Sequence, residues 1–302
     1  MAKAQRTASS VVAVPEELLY RLDWRALKRL SGVRGGDFRT VARGSGIDVT
    51  DIRGYEPYDD VRHIDWNVTA RLDEPHVREY VEDRDLTAWL LLDRSSSMSF
   101  GPADRGKDIV LVELSVALAR MLTRGGNRVG AILYDAQIEE MIPAGVSRDH
   151  VLRLAHRLLQ ESSASGEETD LAPLLQRSAS MLRRRSLVFV ISDLIVRDGW
   201  QRPLGVLAQR HDVVVIRLAD RREVELPDVG TIWVQDAETG EQLLVDTSDP
   251  RFREQYREAA ERREVDLLAD VRRTGAQLHT VWTDDDLADA LVRMARMQRR
   301  LR

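Results

Sequence analysis

The 302-residue chain is 43% hydrophobic and 31% charged, with a formal net charge of −5; it can bury one large core plus a smaller module, and its charge gives no general attraction to nucleic acid. It contains no cysteine, which excludes disulfides, thiolate zinc sites and cysteine nucleophiles and leaves the cytosol as the default compartment. No apolar run approaches the roughly 20 residues of a membrane helix, and the VVAV run at 11–14 is too short for a signal-peptide core, so a soluble cytoplasmic protein without membrane insertion is expected. The basic residues are almost all arginine, the lysines being Lys3, Lys28 and Lys107, a bias read as genome composition.

Residues 1–14 are small, polar and basic, with nothing to bury, and are expected to be disordered. Residues 15–85 form an N-terminal extension. Pro15 opens a helix in which Leu18, Leu19, Leu22, Leu27 and Leu30 recur at helical spacing before Gly32, Gly35 and Gly36 end it; a cover for a sheet is the preferred role. Tyr55, Pro57, Asp59 and Asp60 then make an acidic turn, followed by Arg62, His63, Ile64, Asp65, Trp66 and Asn67, which read as a closely packed polar knot. His63 and Asp65 are taken as structural, and the remaining histidines have no ligand spacing, so no zinc site is expected.

The third segment, 86–302, carries the chemistry. Residues 88–92 are an apolar run that fits a strand buried on both faces, and it runs straight into Asp93, Ser95 and Ser97. Ligands collect beyond the carboxyl ends of strands in open parallel sheets. One carboxylate and two hydroxyls from a single turn make a hard-oxygen set suited to Mg²⁺ or Mn²⁺; the bland alternative is a serine-rich turn with Asp93 capping the next helix.

A largely apolar helix follows over 105–123, then a strand at 128–134, a two-residue turn at Asp135 and Ala136, and an antiparallel strand at 137–142. Val151, Leu154, Leu158 and Leu159 mark another helix, and the polar loop 162–168, expected to move on binding, leads to Thr169. A helix at 171–182, a strand at 187–192 ending at Asp193, a helix at 200–209 and a strand at 213–218 alternate as a parallel sheet covered on both faces requires. Arg183, Arg184 and Arg185 read as a solvated helix end.

Within an insertion at about 220–248, residues 231–234 and 242–245 form a hairpin. It is expected to join extended segments near 46–53 and 76–82 in a small second sheet. A long helix marked by Phe252, Tyr256, Ala260, Leu267 and Val271, a strand at 277–282 and a helix at 287–301 complete the chain. The last carries Arg293, Arg296, Arg299, Arg300 and Arg302, read as a solvated basic face.

Asp93, Ser95, Ser97, Thr169 and Asp193, in that order, resemble the five residues of the metal-ion-dependent adhesion site of von Willebrand factor type A domains. The resemblance implies a doubly wound, Rossmann-like α/β fold whose mostly parallel sheet has one antiparallel edge strand and the order 3-2-1-4-5-6. It also implies Mg²⁺ or Mn²⁺ bound directly by Ser95 and Ser97, by Thr169 directly or through water, and by Asp93 and Asp193 mostly through water. An Asp or Glu from a partner is then the natural sixth ligand.

Residues 46–98 further resemble a bacterial family related to von Willebrand A domains and catalogued as domain of unknown function 58, although Tyr58 stands where that family usually has Gly. Its members are commonly encoded beside MoxR-type AAA+ ATPases, which implies such an ATPase and a client protein as partners.

Three functional readings follow. The first is a Mg²⁺-dependent protein-binding adaptor without enzymatic activity, acting with a MoxR-type ATPase in assembly or maturation of other proteins. The second is a Mg²⁺-dependent aspartyl phosphatase or phosphotransferase with Asp193 as a second carboxylate; such enzymes generally carry another Asp two residues after the nucleophile, where this chain has Ser95, and no Walker loop is present. The third is an interaction domain that needs no metal.

Overall fold

A computed structural model of the protein describes residues 43–56, 59, 61, 64–81, 87–102, 105–160, 169–235 and 241–300. The expected N-terminal tail and helix, the loop 162–168, and Pro57, Tyr58, Asp60, Arg62 and His63 of the polar knot lie outside these residues.

Strand β3 (Thr87–Asp93) forms where the sequence is apolar without alternation, and Ala88, Leu90, Leu91 and Leu92 are all 0% exposed. A strand with no solvent-facing side needs hydrogen-bonded neighbours on both edges and helices on both faces. β3 accordingly pairs in parallel with β4 (Arg128–Tyr134) on one side and β6 (Leu187–Ser192) on the other. β7 (Asp212–Ala219) and β10 (Gln277–Trp282) extend the parallel sheet beyond β6, and β5 (Ile138–Gly145) closes the far edge antiparallel to β4. The sheet order is β10-β7-β6-β3-β4-β5; with β3 counted as the first strand of the sheet, this is the 3-2-1-4-5-6 order expected.

The strand period assigns the two faces. Leu91, Ile132, Val188, Val190, Val213 and Val215 share one face with α4 (Leu171–Met181), α5 (Gln201–Arg210) and the end of α6 (Pro250–Thr274). Leu90 and Leu92 point the opposite way. Helix α2 (Lys107–Arg124) packs on β3, β4 and β7, with twelve of its 18 residues buried, matching the apolar surface read from its sequence. Helix α3 (Arg148–Leu159) lies against α2, and α7 (Leu287–Arg300) follows β10. The turn between β4 and β5 spans three residues rather than two, and β5 runs to Gly145, beyond the expected end.

β1 (Arg43–Gly54), α1 (Trp66–Leu72) and β2 (His76–Val81) form a separate compact unit. β1 and β2 pair antiparallel with two register shifts. Arg53 and Asp59 make a two-pronged ion pair at 2.7 and 2.6 Å. Helix α1 was not expected: none of its residues is buried, so it has no apolar period to read, and its start is set by the Asp65 carboxylate accepting from the Asn67 and Val68 N–H groups.

The hairpin of β8 (Thr231–Gln235) and β9 (Gln242–Asp246) is where the sequence reading is overturned. β1 pairs with β2 and β8 with β9 in two separate two-stranded sheets, not in one shared sheet. The hairpin is tied at its own base instead: the fully buried Thr247 donates its hydroxyl to the Gly230 carbonyl at 2.6 Å and accepts from Val229 N–H at 3.1 Å, while Arg253 of α6 donates to the Thr247 carbonyl.

Gly130 lies under the Trp89 ring of β3, and a Cβ there would sit 2.7 Å from a ring carbon. Gly130→Ala is expected to cost about 1–3 kcal/mol in urea denaturation. Gly205→Ala in α5, where a Cβ meets nothing closer than 3.9 Å, should leave stability unchanged or raise it.

Candidate metal centre

The apolar run of β3 ends at Asp93, and that of β6 at Ser192, one residue before Asp193. Because the two strands are parallel neighbours in register, with Leu92 opposite Ile191, both carboxylates arrive at the same end of the sheet, each 1% exposed. Each is held by local bonds. Asp93 Oδ1 accepts from Ser95 N–H at 3.0 Å and Oδ2 accepts from the Ser192 hydroxyl at 2.6 Å. Asp193 Oδ1 accepts from Ile195 N–H at 3.0 Å, and Leu194 N–H donates to Ser192 Oγ at 2.9 Å. Leu194 adopts a φ of 58°, a left-handed conformation that costs a branched residue energy and that tertiary contacts must impose.

Ser95 starts the short 3₁₀ turn Ser96–Ser99, anchored by Met98 at 1% exposure. Its hydroxyl lies 3.1 Å from that of Ser97, and both residues are buried. Thr169 is 0% exposed and reaches this end of the sheet through two bonds. Its carbonyl accepts from Arg197 N–H, four residues after Asp193, at 2.9 Å. The carbonyl of the next residue, Asp170, accepts from the hydroxyl of Tyr134, which sits opposite Asp93 in β4. Burial and the carboxylates of Asp170, Asp93 and Asp135 push the Tyr134 phenol up to about 12, which keeps it protonated as the donor of that bond. All five residues picked from the sequence therefore occupy one end of the sheet: three on the β3 turn, one after β6, and one on the segment entering α4.

Burial, reinforced by the charge of Asp193 and only partly offset by the bonds from Ser192 and Ser95, raises Asp93 from 3.8 to about 6. A cation placed here would relieve that cost. The donor set suits a hard dication. In an octahedral Mg²⁺ shell with bonds of 2.0–2.1 Å, adjacent ligands stand about 2.9 Å apart, close to the 3.1 Å between the two serine hydroxyls. Among the described residues no group of three His, Cys, Asp or Glu could hold a metal, so at this site hydroxyls would have to complete the set. By donor chemistry, Ser95, Ser97 and Thr169, with Asp93 and Asp193, are a set that would suit Mg²⁺ or Mn²⁺.

Lys107, Glu223 and Ser192 belong to the same end of the sheet and were not picked from the sequence. Lys107 is 0% exposed, with Nζ 2.6 Å from Asp193 Oδ2 and 2.6 Å from Glu223 Oε1. Burial opposes its charge, but the two carboxylates outweigh burial and hold the ammonium above its ordinary value of 10.5. Glu223 also accepts from Asp220 N–H at 3.1 Å, and Asp220 in turn accepts from Arg222 N–H and from the Thr283 hydroxyl. One signal was available for Lys107: a lysine in an arginine-rich chain, placed in the first turn of a helix where the dipole disfavours a cation, needs a reason to be there.

The family described as "Protein of unknown function DUF58" matches residues 51–266. An uncharacterized protein of Mycobacterium tuberculosis is 36% identical over 284 residues, covering 93% of this chain and 89% of the relative, and the same figures hold for one from Mycobacterium bovis. A shorter uncharacterized protein of Mycobacterium avium is 38% identical over 135 residues, which is 45% of this chain and 79% of that one. Among solved structures, an aerotolerance-related membrane protein from Bacteroides fragilis is similar with a TM-score of 0.47 at 15% identity, over 71% of this chain and 99% of that one. The SpRpn10 VWA domain is similar with a TM-score of 0.37 at 12% identity, over 69% and 94%. No helix among the described residues of this chain is long and apolar enough to cross a membrane.

A carboxyl raised on folding stabilises the folded state below its unfolded value, near 3.8, and loses that contribution as pH rises through about 6. In EDTA, the unfolding free energy of wild type relative to Asp93→Asn should therefore fall by on the order of 1–3 kcal/mol between about pH 4 and 7. Urea denaturation across that range checks it, and a flat difference contradicts the burial cost assigned to Asp93.

Proposed function

Because this chain belongs to the family of proteins of unknown function DUF58, with a von Willebrand A-like fold, we propose from its site that it is a Mg²⁺-dependent protein-binding adaptor. The observation that carries the reading is the gathering of two buried carboxylates and three buried hydroxyl residues at one end of a parallel sheet, two of the hydroxyls being hydrogen-bonded to each other. Ser95, Ser97 and Thr169 would hold the ion directly, and Asp93 and Asp193, whose oxygens already accept bonds from the chain, would act mainly through water. Neutral hydroxyl ligands leave the ion electropositive, so its chemistry is to draw an anionic ligand. A client protein offering an Asp or Glu meets that need.

A nucleophilic Asp93 fits less well, since both its oxygens are engaged and Ser95 stands where a second carboxylate would be needed. In this reading a MoxR-type AAA+ ATPase supplies energy in the cytoplasm and the chain supplies recognition.

Isothermal titration of the purified chain with Mg²⁺ is expected to show one site. Ser95→Ala/Ser97→Ala should weaken it by about tenfold or more without altering the circular dichroism. Client retention from a native lysate should require both the metal and the serines; retention indifferent to EDTA and to the double variant would sink the reading.

A further inference from the structure

Lys107 plays no part in the adaptor reading, yet it is placed against the candidate site at some cost. An ammonium at 0% exposure is expensive to desolvate, and the first turn of α2 presents it with the positive end of a helix dipole. What offsets both is its contact with two carboxylates, Asp193 Oδ2 and Glu223 Oε1, each at 2.6 Å. The ring of Phe100, with its centroid 5.7 Å from Nζ, lies to one side. Arg217, opposite Ser192 in β7, is ion-paired with Glu264 of α6.

Asp193 cannot easily serve two cations at full strength. Its Oδ1 is fixed by Ile195 N–H, so the carboxylate is not free to turn, and Oδ2 carries the Lys107 bond. Resting on the Mg²⁺ reading above, we infer that Lys107 is a built-in competitor for the metal, with Glu223 as the second acceptor that keeps the ammonium paired when a dication draws on Asp193. Lys107 is thus a positioning residue that sets how tightly the site holds Mg²⁺. With the lysine in place the ion is held loosely by the chain alone and gains most from the carboxylate a partner adds. Glu223 connects this balance to the end of β7, because the same side chain closes the turn that begins at Asp220.

Two substitutions are expected to move Mg²⁺ affinity in opposite directions. Lys107→Met removes the competitor and should lower the dissociation constant by about tenfold, with a Mg²⁺-induced rise in Tm larger than that of wild type even if the metal-free Tm drops. Glu223→Gln leaves the ammonium on Asp193 alone and should weaken Mg²⁺ binding several-fold. Calorimetric titration with MgCl₂ and thermal unfolding with and without the ion read both.

A merely structural lysine predicts weaker binding in both variants, and that result overturns the inference, as does equal or weaker binding in a folded Lys107→Met protein. If Lys107→Met does not fold, unchanged or tighter binding by Glu223→Gln overturns it. Uptake of Mg²⁺ by Lys107→Met but not by wild type supports it. Uptake by neither removes the Mg²⁺ reading, and this inference with it.

Discussion

Two carboxylates brought to neighbouring strand ends and stripped of water set the terms for this part of the molecule. Asp93 and Asp193 are each 1% exposed, and parallel pairing of β3 with β6 allows no other placement, since the register that stacks Leu92 against Ile191 carries both residues to the same edge. Their mutual repulsion and burial must be met by donors or cations. Much of the local structure answers that demand: the turn after Asp93 aims Ser95 N–H at one carboxylate, the left-handed Leu194 lets the turn after β6 serve both, and Ser192 bridges the strands through Asp93.

The same demand explains the polar links that run away from the site. Lys107 crosses from α2 to Asp193 and Glu223, Glu223 closes the turn at Asp220, and Asp220 accepts from Thr283 just after β10. The ends of β3, β6, β7 and β10 and the start of α2 are thus joined by charge-assisted bonds. Such bonds are strong when fully paired and costly when one member is lost. A dication entering at one end of this chain of bonds would be felt at the other.

The hairpin β8–β9 answers to different physics. It inserts between β7 and α6, packs only Val245 among its strand residues into a buried position, and leaves Trp233, Leu243 and Leu244 more than half exposed. Residues 223–250 contain eight carboxylates and no Lys, Arg or His. The arm owes its position to its base, at Thr247 and Arg253, and not to burial of its strands.

The sequence by itself determined the sheet and the site's ingredients. Unbroken apolar runs at 88–92 and 187–191 fit central strands, their alternation with amphipathic segments argues for parallel crossovers, and the residues that follow those runs fall at one edge by topology. Asp93, Ser95, Ser97 and Asp193 were legible for that reason, whereas Thr169, which ends neither run, was legible through the resemblance to the von Willebrand A metal site. Helix α1 was not, because a capped helix with no buried face leaves no periodic trace. The hairpin's pairing was not, because two short polar strands carry no register signal that separates one partner from another. Lys107 and Glu223 lie 116 positions apart, and their meeting over Asp193 depends on how α2 and the turn after β7 pack, which no local pattern encodes. Burial is a property of the assembled layers, and only the tertiary structure turned a rare lysine into a counter-ion at the candidate site.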